Sequence, residues 1–193
     1  YFDESMIIEY YKAGLRNFGE NRVQAALEKI SKLPSEIVEN SKFHLIGHLQ
    51  TNKVKDAVGV FELIHSVDSV KLAETISKEA EKKGLVQKIL LQVNNANEES
   101  KFGFPPSGLE DSMAHLLKIP FLKIEGLMNI APLSHDENYL RELFKGMKQL
   151  KDKLEIVHKV KLNDLSMGMS NDYKIAAQEG ATIIRLGRIL FEN

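Results

Sequence analysis

A short polar turn after the run DLSMGM offers the most distinctive chemistry in the sequence. Gly168 precedes Ser170, Asn171 and Asp172, and the segment DYKIAAQEG that follows has helical periodicity. Ser, Asn and Asp all cap helix N-termini, so the turn is consistent with a simple helix cap. The same turn could bind an anion, because a helix N-terminus presents free backbone N–H groups and the positive end of its dipole. The turn alone leaves both interpretations open.

Arg185 is a charged residue inside the apolar run TIIRLG. Alternation of side chains along a strand places Ile183, Arg185 and Gly187 on one face. A buried guanidinium requires a partner. An ion pair with an acidic residue of the core is the simpler interpretation of this strand taken by itself, and a bound ligand is the alternative.

The histidines give weaker signals. His44 and His48 share one face of the run FHLIGHLQ, but no third residue follows at metal-ligand spacing and no H-E-x-x-H motif is present. We therefore expect no metal site and assign both histidines to packing or hydrogen bonding. No Ser–His–Asp arrangement suggests a catalytic triad.

The composition limits the classes of protein that these residues can serve. The 193 residues are 43% hydrophobic and 27% charged, which is typical of one globular domain with a full core. The 26 basic and 27 acidic residues nearly cancel, so no net field favours nucleic acid or an anionic membrane. The absence of cysteine excludes disulfides and thiolate ligands and fits a cytoplasmic protein.

Short apolar runs alternate with longer amphipathic runs, which predicts a parallel sheet with crossover helices in a single domain over residues 1–193. The predicted strands lie in LRNFGE, FHLIGHLQ, FELIHSVD, VQKILLQVN, LKIEGLMNI, LNDLSMGM and TIIRLGRILF. The first element, DESMIIEYYKAG, is a helix with Asp3 or Ser5 near its cap.

These seven strands lack one of the eight that a (β/α)8 TIM-type barrel contains. Every helix of such a barrel follows a strand, so the missing first strand is expected upstream of Tyr1. A doubly wound open sheet is the alternative, but NFGENR in the first turn is not the glycine-rich phosphate fingerprint of that fold. Barrel enzymes often hold a phosphate with the loops after their last two strands, here GMSND and LGR, which puts the anion interpretation on an equal footing with the helix cap.

Six segments, in order along nearly the whole chain, resemble the pyridoxal-phosphate homeostasis protein family. They are FGENRVQ, FHLIGHLQTNK, VNNANEESKFG, IEGLMNIAP, LSMGMSND and IIRLG. The family consists of single-domain barrels related to the N-terminal domain of alanine racemase. The resemblance therefore implies a barrel of the alanine racemase type with pyridoxal 5′-phosphate (PLP) as cofactor.

The resemblance also implies roles for individual residues. Ser170 with its turn, and Gly187 with Arg188, would bind the cofactor phosphate. Arg185 would face the pyridine nitrogen, and Asn21 would lie near the ring. The Schiff-base lysine of the family ends its first strand, so it would immediately precede Tyr1, and no catalytic residue is expected from Tyr1 onwards.

Two positions depart from the family pattern. Arg188 stands where Thr or Ser is usual, so a hydroxyl contact to the phosphate would be replaced by the backbone N–H of Arg188 or by its guanidinium bending inward. The last strand ends in Phe191-Glu192-Asn193 where the family has Phe-Gly, which suggests a shortened C-terminus.

Two functions are compatible with the resemblance. The first is a monomeric, cytoplasmic binding protein that buffers PLP and delivers it to apo-enzymes by transient contact, without racemase activity and without nucleic acid or membrane partners. The alternative is a PLP-dependent amino-acid racemase or a related fold-type III enzyme. The racemases have a second, β-rich domain that supplies an acid/base residue, and racemisation needs such a group on each face of the substrate. Because the sequence ends with the last barrel strand, we expect the binding protein.

Overall fold

The computed structural model describes residues 3–96, 98 and 102–190. Within these residues, seven parallel strands pair in the order in which they occur along the chain. They curve into a nearly closed barrel, which confirms the predicted alternating fold. The expected first strand, upstream of Tyr1, lies outside the described residues.

The strands are β1 (Asn17–Glu20), β2 (Lys42–Leu45), β3 (Leu63–Val67), β4 (Gln87–Gln92), β5 (Leu122–Met128), β6 (Asp164–Met169) and β7 (Ile183–Arg185). The helices are α1 (Glu4–Lys12), α2 (Val23–Lys32), α3 (Ser35–Glu39), α4 (Val54–Ala57), α5 (Val70–Lys82), α6 (Pro106–Leu116), α7 (Glu137–His158) and α8 (Tyr173–Gln178). Two 3-10 turns cover Thr51–Lys53 and Arg188–Leu190.

Alternation along the strands divides the buried side chains into two clusters. The larger cluster fills the layer between the sheet and the surrounding helices and includes Leu45, Ile64 and Leu165. The smaller cluster is formed by the opposite face of the strands and contains Leu63, Leu90 and Met128, with Ile130 and Ile183 packed against it. The second face is the interior of the barrel, so side chains on that face of each strand point into the lumen.

The start of the chain follows the predicted pattern. Asp3 caps α1, and its Oδ1 accepts hydrogen bonds from the backbone N–H groups of Ser5 at 3.1 Å and Met6 at 3.2 Å. These contacts satisfy two of the free N–H groups at the helix start. Of the two candidate caps, Asp3 is therefore the one that acts.

The last predicted strand, TIIRLGRILF, is wrong in its second half. The strand ends at Arg185, and Arg188–Leu190 form a 3-10 turn. The backbone N–H of Leu190 donates to the carbonyl of Gly187 at 2.9 Å and closes that turn. Glycine is a poor strand residue, so the chain turns at Gly187 although the flanking residues are apolar.

Candidate functional site

The turns after β6 and β7 meet at the carboxyl end of the barrel. Ser170 Oγ accepts a hydrogen bond from the backbone N–H of Ile189 at 3.5 Å. Helix α8 begins only at Tyr173, and its N-cap residue Asp172 makes no side-chain bond to the helix. Instead, Asp172 Oδ1 accepts from the N–H of Met169 at 2.6 Å and so holds the turn itself. Asp172 therefore occupies the N-cap position, but neither Ser170 nor Asp172 caps α8 through its side chain.

Gly187 lies two residues before Ile189, which contacts Ser170. Neither packing nor backbone conformation requires glycine at this position. A Cβ built on Gly187 meets no described atom within 4 Å, and its φ lies outside the left-handed region. By contrast, a Cβ on Gly47 would lie 2.2 Å from the carbonyl oxygen of Asn21, so that glycine is required by packing. The open space at Gly187 leaves room for a ligand to approach the backbone closely.

Arg185 is held by neutral groups. Its Nη1 donates to Ser166 Oγ at 2.7 Å and its Nη2 donates to the carbonyl oxygen of Asn129 at 2.7 Å. Among the described residues, no carboxylate lies within ion-pair distance of this guanidinium, so the interpretation as an ion pair of the core is wrong. Burial lowers the pKa of Arg185 to about 10, and the charge of nearby Asp172 opposes that shift.

A guanidinium that is charged at neutral pH thus enters the barrel without an ion-paired carboxylate among the described residues, although the charge of Asp172 lies nearby. Arg185 has five N–H donors, and the described hydrogen bonds use two of them. Desolvated charge is costly unless it is paired. The arrangement is that of a cation prepared for an acceptor from outside the chain.

His44 and His65 continue the polar layer inside the barrel. His65 is buried, and its ring lies 2.9 Å from Ser166 Oγ and 3.0 Å from His44. Burial lowers the pKa of His44, and it lowers the pKa of His65 to about 2, with the nearby His44 and Arg185 contributing. The assignment of His44 to hydrogen bonding is confirmed.

The remaining candidates, Asn21 and Arg188, follow β1 and β7 at the same end of the barrel. Asn21 directly follows β1, is exposed, and packs its backbone against Gly47. Arg188 begins the turn after Gly187, whereas its guanidinium and the residues Phe191-Glu192-Asn193 lie outside the described part of the structure. The described contacts therefore join Ser170 to the segment after Gly187 but do not bring Asn21 to either.

A second polar group lies at the ends of β2 and β3. His48 Nδ1 is 3.2 Å from Asp68 Oδ2, and the His48 ring stacks on Phe102 with 3.7 Å between centroids. These contacts agree with the expected packing and hydrogen bonding of His48. In the part of the chain that the structure describes, no group of three potential ligands could hold a metal ion, and no helix is long and apolar enough to cross a membrane.

Comparison with known proteins defines the class of this barrel. The family model described as the N-terminal domain of alanine racemase matches residues 6–192. The pyridoxal phosphate homeostasis protein of Aquifex aeolicus is 43% identical over 186 residues, which cover 96% of this chain and 80% of that relative. The chain belongs to the pyridoxal phosphate homeostasis protein family.

Solved structures agree with this assignment. PipY of Synechococcus elongatus, whose structure contains bound PLP, is 38% identical and superposes with a TM-score of 0.88 over 98% of this chain and 88% of that chain. An alanine racemase of Clostridium difficile superposes with a TM-score of 0.79 at 16% identity, covering 98% of this chain and 48% of that chain. The second likeness shows the fold alone.

Proposed function

We propose that this protein binds PLP, buffers the reactive cofactor and passes it on to apo-enzymes. The observation that carries the proposal is Arg185, a partly buried cation that is held by neutral acceptors alone among the described residues. PLP supplies a partner for each part of the site. Its pyridine nitrogen is an acceptor for Arg185, and its phosphate is an anion for the turns after β6 and β7. Family membership and the PLP in PipY support the same ligand.

The residues at the carboxyl end of the barrel fit the cofactor. The Ser170 hydroxyl and the backbone N–H groups that follow Gly187 and Arg188 would hold the phosphate, since the turns already touch at Ile189 and Gly187 leaves space for close approach. Arg185 would meet the pyridine nitrogen, and Asn21 would lie near the ring. A lysine directly before Tyr1 would hold the cofactor covalently.

Arg185 is compatible with a protein that binds the cofactor without catalysing a reaction. When bound, PLP supplies an aldehyde that reacts with amines and a ring that accepts electrons. A guanidinium against the pyridine nitrogen keeps that nitrogen unprotonated, so the ring withdraws electrons less strongly than one paired with a carboxylate. The racemases use an arginine as well, so the preference for a carrier rests on the family, whose relatives are far more similar to this chain than the racemases are.

The proposal extends to the whole protein. Residues 1–193 would form a single PLP-binding domain. The protein would act as a monomer in the cytoplasm and would contact apo-enzymes only transiently, without nucleic acid partners. Equilibrium dialysis with PLP tests binding. Delivery is tested by the rate at which a PLP-free enzyme regains activity when mixed with the loaded protein, compared with the rate when a dialysis membrane separates the two.

A carrier should have no substantial racemase activity. We expect the purified full-length protein, saturated with PLP, to interconvert the enantiomers of alanine far more slowly than ordinary enzymes turn over. Chiral chromatography of the product measures this rate, with an alanine racemase as the positive control. Turnover of about 1 per second or faster would contradict the carrier function and support the racemase.

Ser170 tests the phosphate contact. Replacing Ser170 with Ala should weaken PLP retention by about 1–3 kcal/mol, because one hydrogen bond to a charged group is lost. Ser31→Ala is a matched control, since the Ser31 hydroxyl bonds to Glu28 on the exposed surface of α2. Retention on dialysis and a melting curve are measured for each variant. Unchanged retention together with a lower melting temperature would show that Ser170 only stabilises the turn.

A further inference from the structure

A continuous chain of hydrogen bonds runs through the barrel interior beneath Arg185. Ser166 Oγ lies 2.7 Å from Arg185 Nη1 and 2.9 Å from His65 Nδ1. His44 Nδ1 lies 3.0 Å from His65 Nε2, and His44 Nε2 lies 3.2 Å from Asn17 Oδ1. Ser166 is on β6 and His65 on β3, and these strands are not neighbours in the sheet. Their contact therefore crosses the lumen of the barrel.

The two ends of this chain fix the direction of every bond in it. The guanidinium of Arg185 only donates, and Asn17 Oδ1 only accepts. His44 Nε2 must therefore donate to Asn17, which in a neutral imidazole leaves His44 Nδ1 to accept from His65 Nε2–H. His65 Nδ1 then accepts the hydroxyl proton of Ser166, and Ser166 Oγ accepts from Arg185.

This one-way order requires both histidines to be neutral. A protonated His65 would donate from both ring nitrogens, so the hydroxyl proton of Ser166 would lose its acceptor. It would also add a second positive charge near Arg185. Burial lowers the pKa of both His44 and His65, which keeps the rings in the neutral form that the hydrogen bonds need.

This chain of hydrogen bonds gives Arg185 an acceptor, Ser166 Oγ, that carries no negative charge. In every bond of this chain the donor is the group nearer Arg185, and aligned hydrogen bonds polarise and strengthen one another. A carboxylate in place of Ser166 could orient the guanidinium equally well, but it would neutralise much of its charge. A neutral hydroxyl keeps that charge available at the mouth of the barrel.

We propose that Ser166 and His65, supported by His44 and Asn17, are positioning residues that hold Arg185 in one orientation while leaving its charge to act on the pyridine nitrogen of PLP. This inference rests on the proposed function. It adds a set of residues from the opposite side of the barrel that act only through Arg185.

Ser166→Ala in the full-length protein tests the inference, with Ser77→Ala as the matched control. Ser77 is also a buried serine, and its Oγ donates to the carbonyl of Pro120 at 2.6 Å outside the barrel interior. We expect both variants to lose comparable thermal stability. Only Ser166→Ala should shift the visible absorption band of bound PLP and weaken its binding about tenfold, the lower end of the range for a hydrogen bond to a charged group.

A ligand-free measurement separates this inference from the proposed function. In cofactor-free protein, the guanidinium N–H signals of Arg185 should be resolved and slowly exchanging by NMR, and Ser166→Ala should broaden or remove them. If the parent protein fails to bind PLP, the proposed function falls, while this measurement still tests the positioning. Sharp Arg185 signals in Ser166→Ala, or an absorption band and affinity that match those of Ser77→Ala, would overturn the inference.

A second variant covers the case in which Ser166→Ala does not fold. His65→Leu leaves Ser166 in place, removes the imidazole that accepts its proton and supplies no other acceptor. The same absorption band and the same Arg185 signals should then move in the same direction. If they match those of the parent protein, Arg185 is positioned without the chain and the inference is wrong.

Discussion

Replacing Arg185 with Met is expected to weaken PLP binding at least about 30-fold, the lower bound for truncating one partner of a desolvated charge contact. In the cofactor-free protein, the guanidinium is a desolvated charge with two neutral acceptors and no carboxylate partner among the described residues. Methionine has a similar length and no charge to desolvate. The substitution should therefore change the stability of the cofactor-free barrel little, while removing the contact to the pyridine nitrogen.

The test is whether Arg185→Met lowers the affinity for PLP without lowering the stability of the cofactor-free barrel. PLP dissociation constants from absorption titrations are compared with melting temperatures measured without cofactor. Arg141→Met is the control, since Arg141 forms its ion pair with Glu179 at 2.5 Å between α7 and α8, outside the barrel. If Arg185→Met unfolds the protein while the surviving folded fraction binds PLP normally, Arg185 has a structural role only.

Much of the fold could be predicted because each strand is a short apolar run between polar turns. All seven predicted runs overlap a strand of the barrel. The end of β7 was misplaced because apolar residues continue past Gly187, and only the hydrogen bond from Leu190 to Gly187 shows that the chain turns there. Local pattern therefore identified the elements better than their ends.

The candidate site was predictable where it depends on position along a single strand. Arg185 faces the lumen because it lies on the same face of β7 as Ile183, and Ser170 follows β6 at the expected end of the barrel. His65 and Ser166 were missed, although each has the inward alternation of its strand, because a histidine or serine in an apolar run is not distinctive. Their meeting depends on the register and curvature of strands far apart in the sequence.

Cofactor-free protein is expected to lose stability as the pH falls below about 6.5, and His65 is expected to cause much of that loss. Burial lowers the pKa of His65 from its ordinary value of 6.5 to about 2 in the folded chain. Between these values the unfolded chain binds a proton on this residue and the folded chain does not. Stability is therefore retained above pH 6.5 and falls below it, by up to about 1.4 kcal/mol per pH unit.

His65→Gln removes the titrating ring, so its free energy of unfolding should depend less on pH between about pH 6.5 and 5, where the parent protein should lose about 2 kcal/mol through His65. The variant should be less stable than the parent at pH 8, because the hydrogen bonds with Ser166 and His44 are altered. Urea unfolding at a series of pH values measures both quantities, and His135→Gln on the exposed loop after β5 is the control. Equal pH slopes for the parent and His65→Gln would mean that His65 takes up its proton in the folded barrel. The neutral, one-way chain beneath Arg185 could then not exist at mildly acidic pH.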